Sequence, residues 1–135
     1  VMGWSVGVVP AVVDGTIAIN RVMHNTLWVP GHFHTYLLLG VVAMLFGFMY
    51  FLGLRTGASD SALDRAGFWM YVIGSLAFAT AFLAGGAMSV PRRWAVHLDP
   101  WLTLDKWGAL FALVVVAGAV VFVVRFLGRV RAVSA

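Results

Sequence analysis

The stretch LWVPGHFHTYLLLGVVAMLFGFMYFLGL, residues 27–54, contains no Asp, Glu, Lys or Arg. A helix needs about 20 apolar residues to cross the hydrocarbon core of a bilayer, so this stretch predicts a transmembrane helix. Two histidines, His32 and His34, lie near its start with a single residue between them. Ionisable residues inside a membrane span are candidates for function, so this pair is the first candidate site.

The composition predicts the same class of protein for the whole chain. Of its 135 residues, 62% are hydrophobic and 10% are charged, whereas a soluble domain carries about 25% charged residues. Further apolar spans cover 66–90 and 107–127, and a shorter one, 1–19, is interrupted by Pro10 and Asp14. We predict an all-α integral membrane protein with three full transmembrane helices and part of a fourth, forming one domain over 1–135.

The charges favour a lipid surface over nucleic acid. The net charge is +4, and basic residues beside apolar spans commonly set topology and contact lipid headgroups. Counting crossings places connections 20–26 and 91–106 on one side and 55–65 and the C-terminal tail on the other. The tail side has one more basic residue, which favours a cytoplasmic C-terminus.

The composition limits the metal and disulfide sites that the chain can form, and its first residues bear on whether it is a fragment. Cysteine is absent, so disulfides, zinc–thiolate sites and iron–sulfur clusters are excluded, and histidine is the strongest soft-metal ligand left. The chain opens VMGWSVGVVP, with no initiating Met at position 1 and no charged segment typical of a signal peptide. We expect it to be a fragment of a longer protein.

The spacing of the histidine pair argues against one shared metal ion. Positions i and i+2 of an α-helix point about 200° apart, so His32 and His34 face opposite sides of their helix. One ion would favour i and i+4. Haem iron accepts an axial imidazole in an apolar slot, so two haems, one on each side of the helix, fit this geometry. The alternative is that each histidine hydrogen-bonds a neighbouring helix.

A second candidate cluster lies on the same side of the membrane. Arg92 and Arg93, in SVPRRW, follow the 66–90 span and so lie on the side where 27–54 begins. Adjacent guanidiniums can bind carboxylates such as haem propionates, although an arginine pair can also be an interfacial anchor. The loop before 27–54 adds three polar side chains that could contact propionates or water: Asn20, His24 and Asn25.

The 91–106 connection carries three more titratable residues, His97, Asp99 and Asp105. We predict them to be solvated loop residues.

Two motifs together resemble subunit I of the haem–copper respiratory oxidases. They are HNTLWVPGHFH, residues 24–34, and VPRRW, residues 90–94. Asn25 stands where most aa-type oxidases have Asp, and with Asn at this position the motif is most similar to that of the B-type branch. The resemblance covers essentially the whole chain. It implies the C-terminal part of the subunit, its last three helices and a piece of the one before, from a bundle of twelve or more.

The resemblance implies roles for individual residues. His32 would be the catalytic residue, as proximal ligand of the high-spin haem, and His34 an axial ligand of the low-spin haem. Arg92 and Arg93 would hold propionates, with His24 and Asn25 in the polar region above them. One residue departs from the pattern. Asn20 stands where the B-type branch would have Asp, which removes an ionisable group from the expected proton-exit region.

The resemblance also implies a function and partners. Dioxygen would be reduced to water with electrons from cytochrome c or a similar donor, coupled to proton translocation in a prokaryotic plasma membrane. Partners would be the other helices of subunit I and a copper-bearing subunit II. The family's copper histidines have no counterpart here, so copper ligands would come from outside the chain. Two alternatives are a small dihaem electron-transfer anchor and a cofactor-free, degenerate membrane protein.

Overall fold

The chain is all-α in the computed structural model, which describes residues 2–55, 57 and 59–134. Between α3 and α4 the helix continues through a π-helical segment, Leu37–Val42, and a 3₁₀ turn, Asp99–Trp101, precedes α6. Within these described ranges there is no β-strand. The helices are α1 Met2–Gly15, α2 Ile17–Met23, α3 Trp28–Tyr36, α4 Ala43–Arg55, α5 Ala62–Ala87 and α6 Leu102–Ser134.

Three helical stretches are long and apolar enough to cross a membrane, namely Trp28–Arg55, Ala62–Ala87 and Asp99–Ala132. The predicted all-α membrane fold is therefore confirmed. The third stretch extends at both ends beyond the apolar run 107–127. Because polar side chains can stay in a helix beyond the hydrocarbon core, an apolar run marks where a helix is buried in lipid and not where it ends.

The opening span is bent just after Asp14, one of the two interruptions seen in the sequence, and not at Pro10, the other. α1 runs through Pro10, and the chain turns by 94° between α1 and α2. At the bend, Thr16 Oγ1 donates a hydrogen bond to the Val12 carbonyl oxygen. The connection 20–26, predicted to be a polar loop, therefore begins as the helix α2.

Helix α5 is the centre of the bundle, because both α3 and α6 pack on it. Small residues make both contacts close. A Cβ on Gly118 of α6 would lie 2.6 Å from the backbone nitrogen of Tyr71, and one on Gly31 of α3 would lie 2.9 Å from that of Leu83. Close backbone approach through small residues is typical of helix packing in lipid.

The end of α5 meets the beginning of α3. The Leu27 backbone N–H donates to the Val90 carbonyl oxygen at 2.9 Å, and the Arg92 N–H donates to the Asn25 carbonyl oxygen at 2.9 Å. A Cβ on Gly86 would overlap the backbone of Trp28. These contacts place the histidine-bearing end of α3 beside the arginine pair, on one side of the bundle.

A buried charge cluster holds the opposite end together. Asp64 forms a capping box with Ser61 at the start of α5 and accepts hydrogen bonds from Arg125 at 3.1 Å and Arg129 at 2.6 Å. The side chains of Asp64 and Arg129 are only 6% and 8% exposed. A buried carboxylate needs such partners because desolvation otherwise outweighs its attractions.

We expect Gly118→Ala to destabilise the protein, whereas Gly128→Ala should be neutral or stabilising. The Gly118 substitution forces α5 and α6 apart, and overpacking costs about 1–3 kcal/mol. A Cβ on Gly128 meets no atom within 4 Å, so that variant keeps only the gain in helix propensity, up to about 1 kcal/mol. Unfolding by SDS of the membrane protein in mild detergent would measure both; equal midpoints would contradict this packing.

Candidate functional site

The two histidines of α3 face different helices. The His32 ring faces α1, where its Nδ1 lies 3.6 Å from Asp14 Oδ2, and it packs edge-on against Tyr36 with ring centroids 5.0 Å apart. The His34 ring faces α5 and packs against Phe78 and Phe82, at 5.2 and 5.7 Å. The opposed arrangement expected from helical geometry is present in the structure.

His34 is held in one orientation by its own helix. Its Nδ1 lies 2.6 Å from the carbonyl oxygen of Pro30. A carbonyl oxygen can only accept, so Nδ1 carries the hydrogen, and in the neutral ring the lone pair is then on Nε2. This second hydrogen bond is the usual device that fixes the tautomer and ring orientation of a metal-ligating histidine.

His32 has an unused nitrogen in a buried position. Its Nε2 is buried and has no hydrogen-bond partner among the described residues, and the same holds for Asp14 Oδ1. Leaving a buried polar atom unsatisfied costs about 1–3 kcal/mol, so such an atom marks a position where a ligand would be favourable. With the Asp14 carboxylate on its Nδ1 side, His32 also fits an axial ligand of haem iron.

Asp14 was treated in the sequence only as an interruption of an apolar span. The signal that could have identified it is the one used for the histidines, an ionisable side chain inside a membrane-spanning segment. Its partner could not be found from sequence, because the 94° bend after α1 decides what lies beside it.

A π-helical segment follows directly after the pair. At the end of this π-helical segment, Leu37–Val42, the Leu38 carbonyl oxygen accepts from the Ala43 backbone N–H and also from the Tyr71 hydroxyl of α5, the latter at 2.8 Å. On the α1 side, a Cβ on Gly40 would lie 3.0 Å from Trp4 Nε1. π-helical turns occur often at functional sites. The apolar sequence LLLGVV gave no indication of it.

The arginine pair is only partly joined to the predicted polar loop. Arg92 contacts Asn25 through its backbone and through its guanidinium, which lies 3.4 Å from Asn25 Oδ1. Arg93 has a positive φ of 66°, and its side chain and that of His24 are exposed. Asn20 lies on α2 with its Oδ1 buried and unpaired within the described chain.

The prediction that His97 and Asp105 are solvated loop residues is wrong. Asp105 belongs to the first turn of α6, and its Oδ2 lies 2.7 Å from His97 Nδ1, with side-chain exposures of 33% and 17%. The pairing arises because the loop folds back over the start of α6, which spacing alone does not reveal. Asp99 is exposed, as expected.

Within the part of the chain that the structure describes, no three His, Asp, Glu or Cys side chains lie close enough to hold one metal ion together.

A bundle of apolar helices, one of which carries histidines on opposed faces, defines an integral membrane protein with two separate candidate ligand positions. The chain matches the family model for cytochrome c and quinol oxidase polypeptide I over residues 1–125. It belongs to that family. The resemblance to subunit I of the haem–copper oxidases is confirmed at this level.

Similar proteins carry names of the same subunit. The chain is 30% identical over 97 residues to cytochrome c oxidase subunit 1 of Thermus thermophilus, which covers 68% of this chain and 17% of that protein. It is 29% identical over 118 residues to cytochrome c oxidase polypeptide 1 of Halobacterium salinarum, covering 85% and 20%. It is 33% identical over 117 residues to heme-copper oxidase subunit I+III of Aeropyrum pernix, covering 84% and 14%.

The chain thus spans no more than 20% of the length of these curated relatives. No solved structure matches the chain at a significant level.

We expect Asp105→Asn to loosen the loop that carries His97. Losing the charged partner should remove about 1 kcal/mol of local stability, so amide hydrogen exchange over residues 94–98 should become roughly fivefold faster. The matched control is Asp99→Asn, whose carboxylate is exposed in the same loop. Equal exchange rates in the two variants would show that the pair does not hold the loop.

Proposed function

We propose that this chain is the C-terminal part of the catalytic subunit of a terminal oxidase of the B-type branch. The complete protein would reduce dioxygen to water with electrons from cytochrome c or a similar donor and couple this reaction to proton translocation. In this proposal His34 is an axial ligand of a low-spin haem. His32 is the proximal ligand of the high-spin haem at the haem–copper centre and is the catalytic residue of this chain.

The observation that carries the proposal is which nitrogen of each of the two imidazole rings lies beside a protein oxygen. Each histidine has Nδ1 beside an oxygen, that of Pro30 for His34 and that of Asp14 for His32, at 2.6 and 3.6 Å. Nε2 is therefore the atom of each ring left for a ligand, and the two rings face opposite sides of α3. Two structural histidines that only joined helices would not require this arrangement.

Bound haem iron would supply electron transfer and oxygen chemistry, which no side chain of this chain can perform. The protein's part is to hold and orient. Pro30 fixes the His34 ring, and Phe78 and Phe82 pack against it and exclude water. The Asp14 carboxylate, 3.6 Å from Nδ1, would raise the electron density of the neutral His32 ring and so make its Nε2 a stronger donor to iron.

Propionate binding is assigned to the polar end of the bundle. Arg92 and Arg93 would pair with propionates through their forked N–H groups. Asn25, in the turn between α2 and α3, accepts a hydrogen bond from Arg92 and would help to orient it. His24 and Asn20 complete this region. Because Asn20 cannot ionise, it can offer a hydrogen bond there but cannot load a proton.

The rest of the assembly follows from the family. The remaining helices of subunit I would supply the copper ligands and the second ligand of the low-spin haem, and a copper-bearing subunit II would deliver electrons. We place the protein in a prokaryotic plasma membrane with a cytoplasmic C-terminus, in line with the small excess of basic residues on the tail side.

We expect His32→Ala and His34→Ala to remove different haem signals from the complete oxidase. His34→Ala should abolish the low-spin haem bands, and His32→Ala the carbon-monoxide-binding high-spin spectrum, because each ring ligates one iron. Reduced-minus-oxidised and carbon monoxide difference spectra measure this. His97→Ala, the control, should leave both signals in place.

Two results would overturn the assignment. If neither substitution changed a haem signal, the histidines would be structural. If both signals behaved as expected but the purified complex lacked copper and consumed no oxygen, the dihaem electron-transfer anchor would replace the oxidase.

We expect Asp14→Asn to weaken haem retention at His32 alone. Removing a carboxylate behind a ligating histidine typically costs about 10–100-fold in affinity. Haem lost during prolonged detergent washing, quantified from the two spectral species, should rise for the high-spin haem and stay constant for the low-spin haem. Asp99→Asn serves as the charge-matched control. Equal losses of both haems would mean that Asp14 acts on the fold and not on His32.

A further inference from the structure

A cavity of about 310 Å³ lies between α4, α5 and the far end of α6, away from the arginine pair. We propose that it binds one acyl chain of an anionic phospholipid, with the phosphate beside Arg65 at its mouth. None of the residues lining this cavity belongs to the histidine site. The inference is therefore independent of the oxidase function proposed above.

Away from its mouth, the cavity is lined mainly by apolar side chains. Phe46 of α4 stacks on Phe122 of α6 with centroids 4.4 Å apart, and it packs edge-on against Tyr71 of α5 at 5.1 Å. The volume is at the lower end of the range of about 300–1,000 Å³ that small-molecule sites occupy. Apolar walls give water too few hydrogen-bonding partners to be held there. In a bilayer, the acyl chains of the surrounding lipids are the apolar groups that can fill it.

Gly47 is the feature that keeps the cavity open on the α4 side. It lines the cavity, and a Cβ built on it meets no heavy atom within 4 Å. A larger side chain at this position would therefore enter the cavity without colliding with the protein backbone, which makes the cavity testable by filling it.

The mouth of the cavity is polar. The Tyr50 hydroxyl donates to Asp60 Oδ1 at 2.8 Å, and Arg65 donates to Asp60 Oδ2 at 2.7 Å. These two contacts lower the pKa of Asp60, so its carboxylate is ionised at neutral pH. The Arg65 side chain is 63% exposed. One of its five N–H donors is used in the bond to Asp60, which leaves donors facing the lipid headgroup region.

The charge at this end of the bundle selects an anion. The connection 55–65 and the last turns of α6 carry five arginines and two aspartates, which leaves three positive charges in excess. Asp64 already accepts bonds from two arginines, and both oxygens of Asp60 are engaged. Arginine N–H groups that are still unused can donate to a lipid phosphate. A headgroup rich in donors, by contrast, would need carboxylate acceptors, and those of Asp60 and Asp64 are already hydrogen-bonded. The arginines are Arg55, Arg65, Arg125, Arg129 and Arg131.

The experiment uses the complete protein complex in nanodiscs of phosphatidylcholine. A trace of phosphatidylglycerol carrying a photoactivatable group in its acyl chain is added, and cross-linked peptides are mapped by mass spectrometry. The same measurement is made with photoactivatable phosphatidylcholine of identical chains. Wild type is compared with Gly47→Leu and with Gly128→Leu, which adds the same side chain at another open position on α6.

We expect the phosphatidylglycerol probe to label residues 43–50 and 67–72 in the wild type, at least fivefold above phosphatidylcholine. Gly47→Leu should reduce this labelling at least fivefold, and Gly128→Leu should leave it unchanged. Arg65→Gln should reduce phosphatidylglycerol labelling to the phosphatidylcholine level, while Arg131→Gln, at the same end but outside the cavity, should not. Size-exclusion profiles and helical circular dichroism verify that each variant is folded.

Three outcomes would overturn the proposal. Absence of labelling in 43–72 would mean that another part of the protein fills the cavity. Equal labelling by the two lipids would remove the selectivity assigned to Arg65. Unchanged labelling in folded Gly47→Leu would show that the acyl chain lies elsewhere.

Discussion

The close approach of α3 and α6 to α5 is the constraint on which the rest of the structure depends. In lipid there is little hydrophobic force between helices, so packing through small residues has to hold them. Gly31 brings α3 against the backbone of α5 at Leu83. This contact sets the rotation of α3, and the rotation directs His34 towards α5 and His32 towards α1.

The two ends of the bundle solve the problem of burying polar groups in different ways. At one end Asp64 is hydrogen-bonded to Ser61 and to two arginines, so its buried charge joins α5 to α6. At the histidine end, buried polar atoms of His32 and Asp14 have no protein partner among the described residues. The first arrangement stabilises the fold, and the second is the kind that a bound group would complete.

Several features were accessible from sequence and others were not. Spans, the histidine pair and its opposed faces follow from apolar run length and helical periodicity. The Asp64 cluster was missed because its partners lie about sixty residues away, and local spacing carries no information on such contacts. The His97–Asp105 pair was missed because a loop's path depends on the elements at its two ends. In each case the missing information was which distant residues meet.

By itself, the sequence determined the class of the protein and the chemistry available to it. So apolar a chain predicts a membrane helix bundle, and with four histidines and no cysteine imidazole is the strongest soft-metal ligand that it offers. The tertiary structure decided which nitrogen of each ring is left for a ligand, through Pro30 and Asp14, and where a cavity opens among α4, α5 and α6. The reason is physical: periodicity sets the direction of a side chain from its own helix, whereas its partners depend on how helices distant in sequence pack together.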